Sequence, residues 1–421
     1  MRYLFTSMFR RCDMLDTLCD RLSNKIITNF LYSLLMTTVT INYQELTQKI
    51  KFWGKELGFS QVGFSDIDLS SHEKALTKWL ENNYHGNMDY MARHGLMRAR
   101  ANELVPDTIR VISARMDYLP SEAKFAQTLK NKNKAYISRY ALGRDYHKLM
   151  RKRLKQLGEK IEQYCQQFNY RPFVDSAPIL ERPLAEKAGL GWVGKHTLLI
   201  NEEAGSWFFL GELLVDIPLP IASKSENQCG SCVSCIKICP TQAIVEPYVV
   251  DARKCISYLT IELRDAIPEQ YRKSIGNRVY GCDDCQLICP WNKFAQLTAQ
   301  DDFQPRQQLD DVDLLTIFSW DEQTFLSKTE GSPIRRIGFE CWQRNIAIGL
   351  GNADYNNDII IALKQQHQSS TPMVAEHIEW AIKQQKLKQK TLQENIPFIV
   401  ENERLSGRLI RSIEKGLPRD A

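Results

Sequence analysis

The chain has 421 residues, 43% of them apolar and 25% charged, with a formal charge of +5. That length gives room for two or three domains with ordinary buried cores, so it reads as a soluble globular protein and not a short disulfide-stapled one. Its 12 cysteines are mostly clustered, which points to reduced, metal-binding thiols and to the cytoplasm.

Residues 1–40 differ from the rest. Arg10 and Arg11 precede an apolar run from Ile26 to Met36. The run is too short to span a bilayer, which takes about twenty residues. It also lies too far from the start, and without a small-residue cleavage site, to be a signal peptide. The expectation is a translation start at Met36, with 1–40 an extension.

From Tyr43, Leu46, Ile50, Trp53 and Leu57 mark a helix stopped by Gly58, and a short strand follows around Gln61 to Phe64. Alternating helix and strand patterns continue through the strand at Arg110 to Ile112, a mixed α/β reading. Lys124 to Lys160 then carries twelve Lys or Arg against Asp145 and Glu159, a density that favours a polyanion, of which nucleic acid is the commonest. Within it Tyr146, Met150, Leu154, Leu157, Ile161, Cys165 and Phe168 line one apolar helix face.

Val174-Asp175-Ser176-Ala177-Pro178 follows, and an aspartate there reads by itself as a turn or cap residue. The glycines of Gly189-Leu190-Gly191-Trp192-Val193-Gly194-Lys195 allow close backbone approach but form no dinucleotide fingerprint. Trp207 to Ile217 reads as a strand running into a Pro218, Pro220 linker.

The most specific signal lies beyond it. Cys229, Cys232, Cys235 and Cys239 have the C-x2-C-x2-C-x3-C-P spacing of two-cluster ferredoxins, in which the fourth thiolate reaches the other cube. The second run, Cys282, Cys285 and Cys289, lacks its first member, because Val279 stands in that place, and the isolated Cys255 can fill the vacancy. With each fourth cysteine crossing over, one [4Fe-4S] cluster takes Cys229, Cys232, Cys235 and Cys289. The other takes Cys239, Cys255, Cys282 and Cys285. Structural zinc is the competing reading, but it usually presents two C-x2-C pairs without a proline-ended triplet.

After about residue 300 helical periods take over: Ile334 to Leu350, Ile359 to Gln366, then Met373 to Ile382. Helices of this length suit a short α-helical repeat stack, although no sequence repeat is visible. Residues 383–421 hold nine Lys or Arg against five acids and add either to a polyanion surface or to a solvated tail.

Together these residues resemble the epoxyqueuosine reductases of tRNA modification. The resemblance spans about residues 40–380. It rests on Met91-Ala-Arg93-His94-Gly95, on Arg139 to His147, on Asp175 to Pro178, on Gly191 to Lys195, on Gly205 to Glu212, and on the eight cysteines. It implies an oxidoreductase using cobalamin beside the two clusters to deoxygenate epoxyqueuosine at the wobble position of tRNA. No D-x-H-x-x-G corrinoid motif is present, so cobalamin enters through the resemblance alone.

By family position Asp175 is the proton donor, and burial would have to raise its pKa for that role. Arg98, Ser138, Arg139, Tyr140, Asp175 and Lys195 are the candidate cobalamin contacts, while His147 is read as structural and not as a cobalt ligand. The expected fold class is α+β or mixed α/β. Its parts are an extension at 1–40, a cobalamin-binding α/β catalytic domain at 41–222, a ferredoxin-like module at 223–300, and a HEAT-like helical domain at 301–421 that holds tRNA. The expected protein is a cytoplasmic monomer, free of the membrane, served by an unidentified electron donor. A ferredoxin-type electron-transfer subunit and a corrinoid-dependent reductase of a small molecule are the alternatives, and the basic stretch disfavours both.

Overall fold

The computed structural model describes residues 41–165, 168–394 and 403–416. The extension 1–40, with Cys12, Cys19 and the expected start at Met36, lies outside the described residues. In chain order the first elements are α1 (Tyr43–Glu56), β1 (Gln61–Ser65), β2 (Arg110–Asp117), β3 (Tyr136–Ile137), α2 (Tyr146–Cys165), β4 (Tyr170–Phe173), α3 (Glu181–Lys187) and β5 (Phe208–Val215). Then come α4 (Ser234–Ile238), β6 (Arg278–Tyr280), α5 (Asp284–Leu287), α6 (Gly338–Asn352), α7 (Asn357–His367), α8 (Pro372–Gln393) and α9 (Glu403–Gly416).

Strands β1, β2, β5 and β4 form one sheet in that order, each neighbouring pair antiparallel. The mixed α/β layering is therefore built on an antiparallel sheet. Central β2 and β5 are buried along nearly their whole length; β5 is apolar apart from Glu212, whereas β2 also buries Ser113 and Arg115. Edge strand β4 carries Pro172, tolerated there because an edge leaves one row of backbone groups unpaired.

Helix α2 packs on this sheet through Met150, Leu154, Leu157 and Ile161, all buried at the three-to-four-residue spacing of one helix face. Gly211 of β5 lets it sit close, since a Cβ there would lie 2.9 Å from Leu154 Cδ1. Each such side chain contributes about 1.5–3 kcal/mol of burial. Leu154→Ala would cost about 2–5 kcal/mol, enough to loosen the helix that carries Tyr146 and His147 into the site.

The chain beyond residue 223 is tied to this layer by the short parallel pair of β3 with β6, in which Tyr136 faces Arg278. Its apolar core runs across residue 300: Ile256, Leu259, Ile275 and Val279 share it with Trp342 and Ile346 of α6 and Ile378 of α8. Buried Arg344 of α6 donates to the carbonyls of Leu259, Leu263 and Asp265, and Asn345 donates to those of Thr260 and Val279. These bonds satisfy carbonyls of the helical turn at Tyr258–Glu262 and of the chain just after it. Helix α8 packs against both α6 and α7.

The basic stretch is mostly spent internally, which narrows the polyanion expectation. Lys124 pairs with Asp310, Lys134 with Asp311 and Asp313, Arg144 with Asp302, Lys130 with Glu414, and Lys160 with Glu56. Arg139 is buried. Lys148, Arg151 and Lys152 on α2 remain exposed. Among the described residues no helix is long and apolar enough to cross a membrane.

Candidate active site and cluster-binding cysteines

The two cysteine runs fold as short turns, α4 after Cys232 and α5 after Cys282, each ended by the proline that follows its last cysteine. The two runs lie side by side, and Cys285 feels Cys255, Cys239 and also Cys235 of the first run. Burial raises the Cys289 thiol to about 12, and its cysteine neighbours are Cys229, Cys235 and Cys232. Burial likewise pushes Cys285 well above the usual range. Cys282 is pushed up in the same way, with Cys285 beside it. Thiols crowded together like this become thiolates only around a cation, so the donor set suits a metal cluster.

The runs differ in setting. Cys232 is exposed, whereas the second run adjoins a buried polar frame. There Arg278 forms a two-point ion pair with Asp284, at 2.9 and 2.7 Å. Asp283 accepts hydrogen bonds from the Tyr136 hydroxyl at 2.8 Å, the Ser138 hydroxyl at 2.5 Å and the Arg139 amide at 3.1 Å. Ser138 and Arg139 are therefore buried and fasten the catalytic segment to the cysteine segment. Tyr140 lies between Tyr146 and Tyr280. Lys195 donates to the carbonyls of Gly230 at 2.6 Å and Cys232 at 3.0 Å, bracing the exposed cysteine turn. The glycine loop before it closes on its own hairpin: a Cβ on Gly191 would lie 2.1 Å from the Ile200 carbonyl oxygen.

A cavity of about 650 Å³ opens beside this frame. Its walls come from the Tyr90 to Arg98 segment, the first turn of α2, the Asp175 loop, the start of α3, and Phe208 to Leu210 of β5. Glu262 and Arg336 close it from the other side, paired with each other. Of the candidate contacts, Arg98 and Asp175 line this space; Ser138, Arg139, Tyr140 and Lys195 do not. Arg98 is held by the carbonyls of Tyr90 at 2.8 Å and Met91 at 3.3 Å.

Asp175 has a left-handed backbone, with φ of 57°, and its side chain is 52% exposed toward the cavity. Its Oδ2 accepts from the Tyr146 hydroxyl at 3.1 Å and meets His147 Nε2 at 3.2 Å. The other ring nitrogen of His147, Nδ1, is 2.6 Å from Asp145 Oδ1. Tyr146 is stacked on Phe209, with ring centroids 3.8 Å apart, which fixes the turn that presents both groups.

Burial works to lower the His147 pKa, but the carboxylates of Asp145 and Asp175 outweigh it and hold it up at about 9. The ring is thus an imidazolium at neutral pH. Burial also works to raise Asp175, yet His147 and the Tyr146 hydroxyl leave it below the usual carboxylate range. The sequence expectation concerned Asp175 with cobalamin beside it; in the open cavity its carboxyl lies below the usual range and the proton sits on His147. Two further carboxyls stand behind Asp175. Glu181 accepts the Asp175 amide at 2.6 Å and is raised to about 7 by burial and by the Asp175 charge. Glu212, fully buried on β5, is pushed well above the usual range by burial and by Glu181.

Glu181, Glu212, Glu262 and Arg336 carried no role in the sequence reading. The first is written next to Arg182 and the second inside an apolar strand, and only strand register and loop closure bring them together. An acidic residue in the otherwise apolar β5 was the one available signal.

Residues 98–176 match the family model described as epoxyqueuosine reductase QueG, DUF1730. Residues 228–292 match a 4Fe-4S double cluster binding domain, a span that contains all eight cysteines, and the chain accordingly takes two [4Fe-4S] clusters. It is 62% identical over 381 residues to the epoxyqueuosine reductase of Aliivibrio fischeri, covering 90% of this chain and 100% of that one. Against the Escherichia coli enzyme the identity is 61% over 382 residues, covering 90% and 99%. Its fold matches a crystal structure of epoxyqueuosine reductase with an epoxyqueuosine-modified tRNA stem loop at a TM-score of 0.75 and 24% identity, covering 89% of this chain and 100% of that one. With the cysteine pattern, the cavity and the full-length relatives in agreement, the chain belongs to the epoxyqueuosine reductase family of oxidoreductases.

Proposed function

We propose that this protein reduces epoxyqueuosine to queuosine at the wobble position of tRNA. Each turnover takes two electrons and two protons, opens the epoxide, and releases its oxygen as water to leave the cyclopentene. The observation that carries the reading is the Asp175 carboxylate facing the cavity with the His147 imidazolium 3.2 Å behind it. A departing alkoxide needs an acid, and this pair stores one at neutral pH.

The clusters are held by Cys229, Cys232, Cys235 and Cys289, and by Cys239, Cys255, Cys282 and Cys285. Arg98 and Asp175, which line the cavity, would hold cobalamin there, and the Ser138 to Tyr140 segment and Lys195 would secure the neighbouring walls. When bound, it supplies low-valent cobalt able to deliver electrons in pairs, whereas the clusters pass them singly. With water excluded from the filled cavity, a charged Asp175 would become costlier. The proton then moves from His147 Nε2 to Asp175 Oδ2 and on to the leaving oxygen. Tyr146 keeps Asp175 aimed during that transfer.

The tRNA is held by phosphate contacts from Lys148, Arg151 and Lys152, on the same helix as His147, and from basic positions of α8 and α9. Residues 41–222 form the catalytic part, 223–300 the cluster module and 301–421 the helical part, in a cytoplasmic monomer. The test is anaerobic reconstitution with iron, sulfide and cobalamin, followed by reductant and tRNA carrying the epoxide. Mass spectrometry of the nucleoside should show loss of one oxygen. An unchanged nucleoside with both clusters and cobalamin bound would refute the assignment.

A further inference from the structure

Glu212 has no role in the chemistry above, yet it is the least comfortable residue in the sheet. Its side chain is 0% exposed on an otherwise apolar strand, and no N–H or O–H donor reaches either carboxyl oxygen. What faces it is the carboxyl of Glu181. Two carboxylates in contact repel, so the pair is stable only with one proton between them.

Strand register says what this pair is for. Glu212 lies opposite Phe173, the last residue of β4, and Asp175 comes two residues later. The pair therefore sits beneath the root of the Asp175 loop. From there Glu181 Oε1 takes the Asp175 backbone amide at 2.6 Å, a charge-assisted bond at a left-handed residue that does not favour that conformation unaided. The groups around the pair fit the arrangement. Arg182 and Asp175 act on Glu181; His147, Tyr146 and Arg336 act on Asp175; the residue opposite Glu212 on β2 is Ser113, whose hydroxyl is likewise unpartnered. Helix α2 lies on the other face, where Met150 and Leu154 meet the position of Gly211, the strand neighbour of Glu212.

We propose that Glu212 and Glu181 share one proton and together latch the Asp175 loop into the cavity. Glu212 carries the proton, which leaves Glu181 an anionic oxygen for the Asp175 amide. Both are positioning residues that act through the loop backbone, and the proposal rests on the reading of Asp175 as the acid only for its consequence in turnover.

The test uses the full chain with its clusters reconstituted and reads the loop directly. Hydrogen exchange in a peptide covering residues 174–178 should speed up roughly tenfold in Glu181→Ala, as one charge-assisted hydrogen bond is lost. It should stay slow in Glu181→Gln, whose amide oxygen still accepts. Infrared spectra at neutral pH should show a protonated-carboxyl C=O band that Glu212→Gln removes, with exchange still slow because the new amide donates to Glu181. In turnover, Glu181→Ala should lower kcat by roughly 100-fold with KM for tRNA little changed, and Glu181→Gln should recover most of it. Equal exchange in Glu181→Ala and the unsubstituted chain would overturn the latch, as would a carboxyl band indifferent to Glu212→Gln. Asp175→Asn keeps the backbone amide and should keep slow exchange. An active Asp175→Asn with an intact latch would therefore remove the acid assignment alone.

Discussion

The cysteine module and the cavity beside it solve opposite problems. In the module, thiols three and four residues apart lie on tight turns set by local geometry, and only the isolated Cys255 depends on the tertiary fold to come near them. In the cavity, Asp145, His147, Asp175, Glu181 and Glu212 come from one helix, one loop, another helix and a strand. The difference teaches where substitutions act: changes in the module remove iron, whereas changes to the cavity's carboxyls and His147 leave the iron and alter proton handling.

The comparison breaks most sharply at Cys255. Cys255→Ser should lower iron from about eight to about four per chain and abolish turnover, as read by iron analysis and nucleoside mass spectrometry. Retention of full iron would show that the isolated cysteine is not a ligand. Next in size, Asp175→Asn should cut turnover by roughly 1,000-fold with iron content unchanged. A fall in iron with the activity would erase the distinction between the two regions.

His147 sharpens the comparison through pH. Its pKa is raised from 6.5 to about 9, so turnover should hold through neutrality and fall as pH rises through about 9, where the imidazolium gives up its proton. His147→Gln should be slower by roughly 100-fold, and that high-pH limb should vanish from its profile. The same sign governs stability. A folded pKa above the unfolded one contributes stability that is complete below 6.5 and lost as pH climbs through about 9. Thermal melts of the two proteins should therefore converge at high pH.

The smallest effect belongs to the rim. Replacing Arg151 and Lys152 by Ala should weaken tRNA binding several-fold at low salt and reduce the log Kd against log salt slope by roughly 1 to 2, with iron content unmoved. An unchanged salt slope would place the phosphates elsewhere.

Much of the fold was readable because local patterns were strong. The apolar stripe of α2 is long enough to define its face, and the proline after Cys239 and Cys289 marks the end of each turn. The polyanion reading of residues 124–160 was less secure, since a count of charges cannot see that Lys124, Lys134 and Arg144 meet Asp310, Asp311 and Asp302. Sequence separation hides such pairs, and only folding reveals which charges reach solvent.

Ligand chemistry follows from residue type and short spacing, and so the chain's order alone determined that this protein carries two iron-sulfur cubes and a helix with a basic outer face. Proton chemistry follows from distance and dielectric. That Asp175 is ionised, that His147 holds its proton, and that Glu212 stays neutral beneath them was decided only when an antiparallel sheet, a left-handed loop residue and two helix ends met around one cavity.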